Sequence, residues 1–173
     1  MAEAWLDVAP NSTLDNLYGP TEATVVCLRQ EVARPPRVTP ERDFVAIGKP
    51  FPQMRMAILD ADLRPAPPGD GGEIALSGPQ LARGYLNQNE LTAARFPVID
   101  GVRWYLTGDL GYLDGDGVAH MLGRIDNQVK VLGNRVELEE VELHLRRGAD
   151  TASAAASPGL SARRGPSQAA GSG

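Results

Sequence analysis

Arg103-Trp104-Tyr105-Leu106, Leu110-Gly111-Tyr112-Leu113 and Val118-Ala119-His120-Met121-Leu122 are three short apolar and aromatic runs. Between them stand Thr107-Gly108-Asp109 and Asp114-Gly115-Asp116-Gly117, whose Gly and Asp residues favour turns. This stretch predicts a β-meander. Upstream, Met54 to Leu59 and Glu73 to Gly78 read as two more strands around a Pro- and Gly-rich connection, so residues 47–123 form a small, β-barrel-like subdomain. Gln80 to Phe96 predicts a loop followed by a short helix. Earlier still, the β-branched run Thr24 to Val32 predicts a strand that leaves a core through the loop Arg34 to Arg42.

Downstream of the meander, Gln128 to Val136 predicts a hairpin over Gly133-Asn134. Glu137 to Arg147 predicts a helix with Leu138, Val141 and Leu145 on one face, glutamates in its first turn and arginines in its last. The class is therefore α+β. Residues 1–46 would end a larger core, 124–147 would begin another lobe, and 148–173 form a disordered tail. Leu160 is the single large apolar residue of that tail, too little to offset chain entropy. The helix before it has no downstream partner for its apolar face, so a shifted reading frame near Arg147 or another artificial end is expected. A natural flexible tail is the alternative.

Composition removes several function classes. Lys plus Arg number 17 and Asp plus Glu 22, a net charge of −5 with no basic field for nucleic acid or an anionic membrane. Cys27 is alone, and with His120 and His144 it makes neither a disulfide nor a zinc-type cluster. No run approaches the roughly 18 apolar residues of a membrane span, and the acidic start is unlike a signal peptide. A cytoplasmic protein is expected. The P-loop, dinucleotide-binding and nucleophile-elbow patterns are all missing from the sequence. Asp114 to Gly117 looks like the start of a calcium loop, but Val118 and Ile125 stand where oxygen ligands belong, so it reads as a turn.

Asn16-Leu17-Tyr18-Gly19-Pro20-Thr21-Glu22 places an aromatic face, a Gly-Pro turn, a hydroxyl and a carboxylate in one loop. Tyr18 can stack on a base, Thr21 can donate to a phosphate oxygen, and Glu22 is a hard ligand for magnesium between phosphates. A plain capped turn is the other reading. Three further segments accompany it: Gly72 to Gly78 running on to Leu81-Ala82-Arg83-Gly84-Tyr85-Leu86, Tyr105-Leu106-Thr107-Gly108-Asp109-Leu110, and Gly123-Arg124-Ile125-Asp126-Asn127-Gln128 continuing to Leu138.

In this order and spacing the four segments resemble the adenylation domains of nonribosomal peptide synthetases and the D-alanine:carrier-protein ligases, within the AMP-binding, adenylate-forming superfamily. The resemblance covers residues 14–146. It implies ATP and magnesium as cofactors, with an amino acid or other small carboxylic acid and a phosphopantetheinyl carrier protein as partners. Asn16 and Tyr18 would hold the adenine, with Gly19 in the same ATP-binding loop. Thr21 and Glu22 would carry the catalytic contacts, to the α-phosphate and the metal. Asp109 would accept both ribose hydroxyls, and Arg124 would reach ribose and phosphate. Asp126 would be a hinge, Lys130 to Gly133 would line a thioester-forming face, and Leu17, Val25 and Val26 would flank the substrate pocket.

The sequence departs from that pattern in three places. The Ser/Thr/Gly-rich phosphate loop is absent, the late catalytic lysine has no counterpart because Lys49 and Lys130 are the only lysines, and Leu106 and Leu132 replace residues often basic. A fragment carrying about half the nucleotide site, inactive alone, is expected. An acyl-CoA-synthetase-type ligase fragment and a non-catalytic binding module are the alternatives.

Overall fold

Turns rich in Gly, Pro and Asp cut the chain into short strands, and antiparallel pairing of those strands makes the fold. The structure, a computed structural model, describes residues 2–40, 42, 44–125, 128–131 and 134–137. It divides into two compact units, Met1–Ile125 and Asp126–Gly173. In the first, helix α1 (Ala2–Val8) precedes β1 (Asp15–Tyr18) and a 3₁₀ turn at Thr21–Ala23. Then come β2 (Leu28–Glu31), β3 (Val38–Thr39), β4 (Phe44–Val45), β5 (Lys49–Pro50), β6 (Arg55–Leu59) and β7 (Gly72–Ser77). Helix α2 (Asn89–Arg95) leads to β8 (Val98–Ile99), β9 (Val102–Arg103), β10 (Tyr105–Leu113) and β11 (Ala119–Arg124). No helix among the described residues is long and apolar enough to cross a membrane.

Two sheets organise this unit, one ordered β1-β2-β5 and one ordered β11-β10-β7-β6. β3 pairs with β4 and β8 with β9 as small hairpins. The sheets are tied where Ile47 N–H donates to the Ala119 carbonyl at 2.9 Å and Ala119 N–H donates to the Gly48 carbonyl at 2.9 Å. Their apolar residues meet in one core of Cys27, Leu28, Ile58, Ile74, Leu76, Phe96 and Tyr105, among others. Interior strand β7 buries four consecutive residues, Ile74 to Ser77, as a strand covered on both faces must.

In this unit four expectations are corrected. The strand expected over Thr24 to Val32 begins only at Leu28, because Thr24 (φ 57°) and Val25 (φ 71°) are left-handed. Closure of the 3₁₀ turn overrides their β-propensity there: Thr24 N–H donates to Thr21 O and Val25 N–H to Pro20 O. Residues 16–22 are not one loop either, since Asn16 to Tyr18 lie in β1. Arg103 and Tyr105 belong to different strands, because Asp100 (φ 49°) and Gly101 (φ 76°) close a separate β8–β9 hairpin.

The fourth correction matters most. Thr107-Gly108-Asp109 is no turn but lies inside β10, a single strand whose register shifts between Leu106 and Leu110. Side chains stand in for the lost ladder bonds. Glu73 Oε1 accepts the Gly108 N–H at 2.7 Å, and Thr107 Oγ1 accepts the Asp109 N–H at 3.0 Å while donating to the Ile74 carbonyl at 2.7 Å. Gly108 takes φ 74°, which its missing Cβ permits, and the strand bulges instead of reversing. Reversal comes at Asp114 to Gly117, where Asp114 Oδ1 accepts the Asp116 and Val118 N–H groups at 3.0 and 2.9 Å.

In the second unit the described residues are β12 (Gln128–Val131) and β13 (Asn134–Glu137), an antiparallel hairpin in which Val131 faces Asn134 and Gln128 faces Glu137. Its strand pairing carries Asn134, expected in the turn, and Glu137, expected to open a helix. Lys130 holds a strand position opposite Arg135. Asp126, Gly133, the rest of the expected helix and the expected disordered tail lie outside the described residues.

Candidate functional site

Side chains two apart on a strand share a face, and the β-ladder decides what each face meets. Tyr18 ends β1, and its phenol hydroxyl donates to Asp109 Oδ2, 91 residues later in sequence. The bulge at Gly108 sets Asp109 directly across from Arg124 of β11, and Arg124 Nη1 donates to Asp109 Oδ1. Asp109 is 6% exposed, so both carboxylate oxygens are held by charge-assisted or hydroxyl bonds inside protein. Burial, and then the Asp109 charge that its hydroxyl faces, push the Tyr18 phenol well above the ordinary tyrosine range.

Asn16, on the same face of β1 as Tyr18, spends its amide hydrogens on the chain itself. Its Nδ2 donates to the carbonyls of Val45 at 3.1 Å and Ala46 at 2.9 Å, tying β1 to the β4 end. Gly19 sits where the chain folds back on itself. A Cβ at that position would fall 2.7 Å from the Val25 carbonyl oxygen and 2.9 Å from the Cys27 nitrogen. That tight return places Thr21 exposed on the 3₁₀ turn and Glu22 buried beneath it.

Glu22 is fixed by a strap formed by residues 80–85, to which the sequence motifs assign no role. Tyr85 Oη donates to Glu22 Oε1 at 2.7 Å, and Ala82 N–H donates to the Glu22 carbonyl at 2.7 Å. Burial, with the bond to Glu22 next, raises the Tyr85 phenol above the tyrosine range. Thr24 Oγ1 donates to the Gln80 carbonyl at 2.8 Å, and Gln80 Nε2 donates to Val26 O at 3.3 Å. Arg103 holds the strap from behind: its guanidinium lies 4.4 Å over the Phe96 ring and donates to the carbonyls of Ala82 and Arg83 at 2.9 and 2.8 Å. The motif Leu81 to Leu86 carried the signal for Tyr85, whereas nothing local pointed to Arg103.

Tyr18, Asp109 and Arg124 are thus brought together, and Thr21 and Glu22 share one turn. Leu17 and Val25 are exposed and Val26 half-buried. Among the described residues no three His, Cys, Asp or Glu side chains converge as a metal cluster. Glu22, the carboxylate expected to hold magnesium, is buried, and its Oε1 already accepts from Tyr85.

Cys27, beside Gly19, is fully buried, and burial pushes its thiol up to about 12. The thiolate is the reactive form, so an alkylating reagent at neutral pH should leave Cys27 unmodified in the folded chain and label it in urea. Rapid labelling without denaturant would show that the Gly19 turn is open. Sign and window follow from the direction of the shift. A thiol raised in the folded state contributes stability below its unfolded value of 9.0 and loses that contribution as pH rises toward about 12.

Residues 1–86 match the AMP-binding enzyme family. The novobiocin biosynthesis protein H of Streptomyces niveus is 46% identical over 160 residues, spanning 90% of this chain and 25% of that protein. A D-alanine–D-alanyl carrier protein ligase of Bacillus cereus is 41% identical over 146 residues, spanning 84% of this chain and 28% of that one. Among solved structures, the adenylation domain AlmE of Vibrio cholerae, in complex with glycyl-adenosine-5'-phosphate, superposes with a TM-score of 0.77 and 38% identity. That match covers 89% of this chain and 29% of AlmE. The chain thus spans a quarter to under a third of the length of these relatives.

Proposed function

We propose, from the premise that this chain belongs to the AMP-binding enzyme family, that it carries the adenosine-facing and metal-facing part of a site that activates an amino acid with ATP. In the complete enzyme a carboxylate oxygen of the amino acid attacks the α-phosphorus, pyrophosphate leaves, and an aminoacyl adenylate forms. The thiol of a phosphopantetheinyl carrier protein then attacks the acyl carbonyl, giving the thioester and releasing AMP. Asp109 accepts the ribose hydroxyls, Arg124 lies beside ribose and phosphate, and Tyr18 offers its ring to adenine. Asn16, whose amide hydrogens hold Val45 and Ala46, can address the base only through Oδ1. Gly19 keeps the loop close to the nucleotide, and Thr21 faces the α-phosphate. Glu22 would hold a magnesium ion, which would supply neutralisation of the phosphate charge. Asp126 as hinge, and Lys130 and Gly133 on the thioester face, complete this reading.

The observation that carries it is the buried Asp109 carboxylate, presented between an aromatic side chain and an arginine on a strand bulge built to hold it. A carrier-protein ligase is favoured over an acyl-CoA-type ligase because relatives of both sequence and structure are named for carrier proteins or amino-acid adenylates. Leu17, Val25 and Val26 are aliphatic, which favours a small or medium apolar amino acid. AMP titrated into the chain should shift amide resonances of residues 16–22, 107–109 and 123–125. Asp109→Asn, which keeps the shape and removes the charge, should weaken that binding about tenfold or more. Equal affinity of the two proteins would exclude Asp109 from the ribose site.

A further inference from the structure

The carboxylate assigned to the ribose is not open. Tyr18 Oη takes Asp109 Oδ2 and Arg124 Nη1 takes Oδ1. Asp109 is 6% exposed, so a ribose hydroxyl that arrives here meets two oxygens that already have partners. The partners are not equally free to leave. Arg124 is held in register opposite Asp109 by the β10–β11 ladder, and Asp109 is itself anchored by its N–H on Thr107 Oγ1. Tyr18 comes from the other sheet. Its backbone is fixed, paired with Leu28 and accepting the Cys27 N–H at 2.9 Å, so only rotation of its side chain can release the carboxylate.

We propose that Tyr18 gates Asp109: its hydroxyl occupies the carboxylate oxygen that a ribose hydroxyl needs, and the ribose hydroxyls are admitted only when that bond breaks. The proposal rests on the assignment of Asp109 to the ribose. It also fixes a sign that a plain stacking or hydrogen-bonding role does not share. If the hydroxyl competes with the ribose, its removal helps the ligand, because apparent affinity is reduced by the fraction of molecules held shut.

Calorimetric titration of AMP into the full chain and into Tyr18→Phe tests this. The variant keeps the ring and should bind AMP about ten- to a hundredfold more tightly, the penalty of a gate shut in nine-tenths or more of the molecules. 2′,3′-Dideoxyadenosine monophosphate, which offers Asp109 no hydroxyl, should gain nothing from the substitution. A second measurement is independent of how the variant folds. AMP should alter the near-ultraviolet tyrosine absorbance of the unmodified chain as the phenol leaves the carboxylate, and the dideoxy nucleotide, which shares the base but not the ribose hydroxyls, should alter it less. Equal or weaker AMP binding by Tyr18→Phe, or no absorbance difference between the two nucleotides, overturns the gate and leaves the ribose assignment standing. If neither protein binds AMP, the nucleotide assignment fails and the gate fails with it.

Discussion

Purified as a 173-residue polypeptide, the chain should give no amino-acid-dependent exchange of pyrophosphate into ATP. Adenylate formation needs the triphosphate, the attacking carboxylate and the metal held in line, and such positioning is worth about 7–11 kcal/mol of barrier. The residues proposed to face ATP here are Tyr18, Thr21, Glu22, Asp109 and Arg124, while the relatives that complete such sites are three to four times as long. Arg124 is the one cation among those residues, so little positive charge is aimed at a pentavalent phosphorus. Nucleotide binding and turnover should therefore separate: AMP is bound weakly and ATP is not consumed. Exchange above background with any amino acid would show that these residues suffice, and would move the catalytic electrostatics onto groups that the proposed roles leave out.

Truncation of Tyr105 should be the most damaging single change to the fold. The side chain is 1% exposed, and its ring centroid lies 4.9 Å from that of Phe96. Phe96 in turn lies 5.8 Å from Tyr85, whose hydroxyl holds Glu22, and beneath Arg103, which holds the strap. Tyr105→Ala should cost about 3–5 kcal/mol in urea unfolding, a large part of the stability of an ordinary domain. Leu91→Ala on the exposed side of α2 should cost no more than about 0.5 kcal/mol. Because the same aromatic cluster supports Glu22, Tyr105→Ala should also loosen the Gly19 turn and expose Cys27 to alkylation. Equal costs for the two substitutions would mean that the aromatic cluster is not where the stability resides.

Local chemistry made much of this molecule legible. The Asp-Gly repeat at 114–117 is a turn because its first carboxylate caps two N–H groups four residues or fewer away, a contact that needs no other part of the chain. The strands β6 and β7 follow from short apolar runs between breakers, and α2 from a polar stretch ending at Phe96. Family resemblance likewise came from motifs in order, which survive without knowledge of the fold. Propensity misled where tertiary bonds outweighed it. Thr24 and Val25 are β-branched and still left-handed, because the turn above Glu22 is closed by its own hydrogen bonds and by Gln80, 54 residues beyond Val26.

The sequence by itself determined strands β6 and β7, the turn at Asp114 to Gly117, the order of the four motifs and the class of chemistry they imply, since each depends on neighbours within a few residues. Only the tertiary structure decided that Thr107-Gly108-Asp109 bulges within a strand instead of turning, because Glu73 from the neighbouring strand supplies the missing acceptor. Tertiary structure also decided that Tyr18, Asp109 and Arg124 share one buried carboxylate. That meeting is set by sheet register and by packing between two sheets, and no spacing along the chain encodes which residues, 91 and 15 apart, will come to face each other.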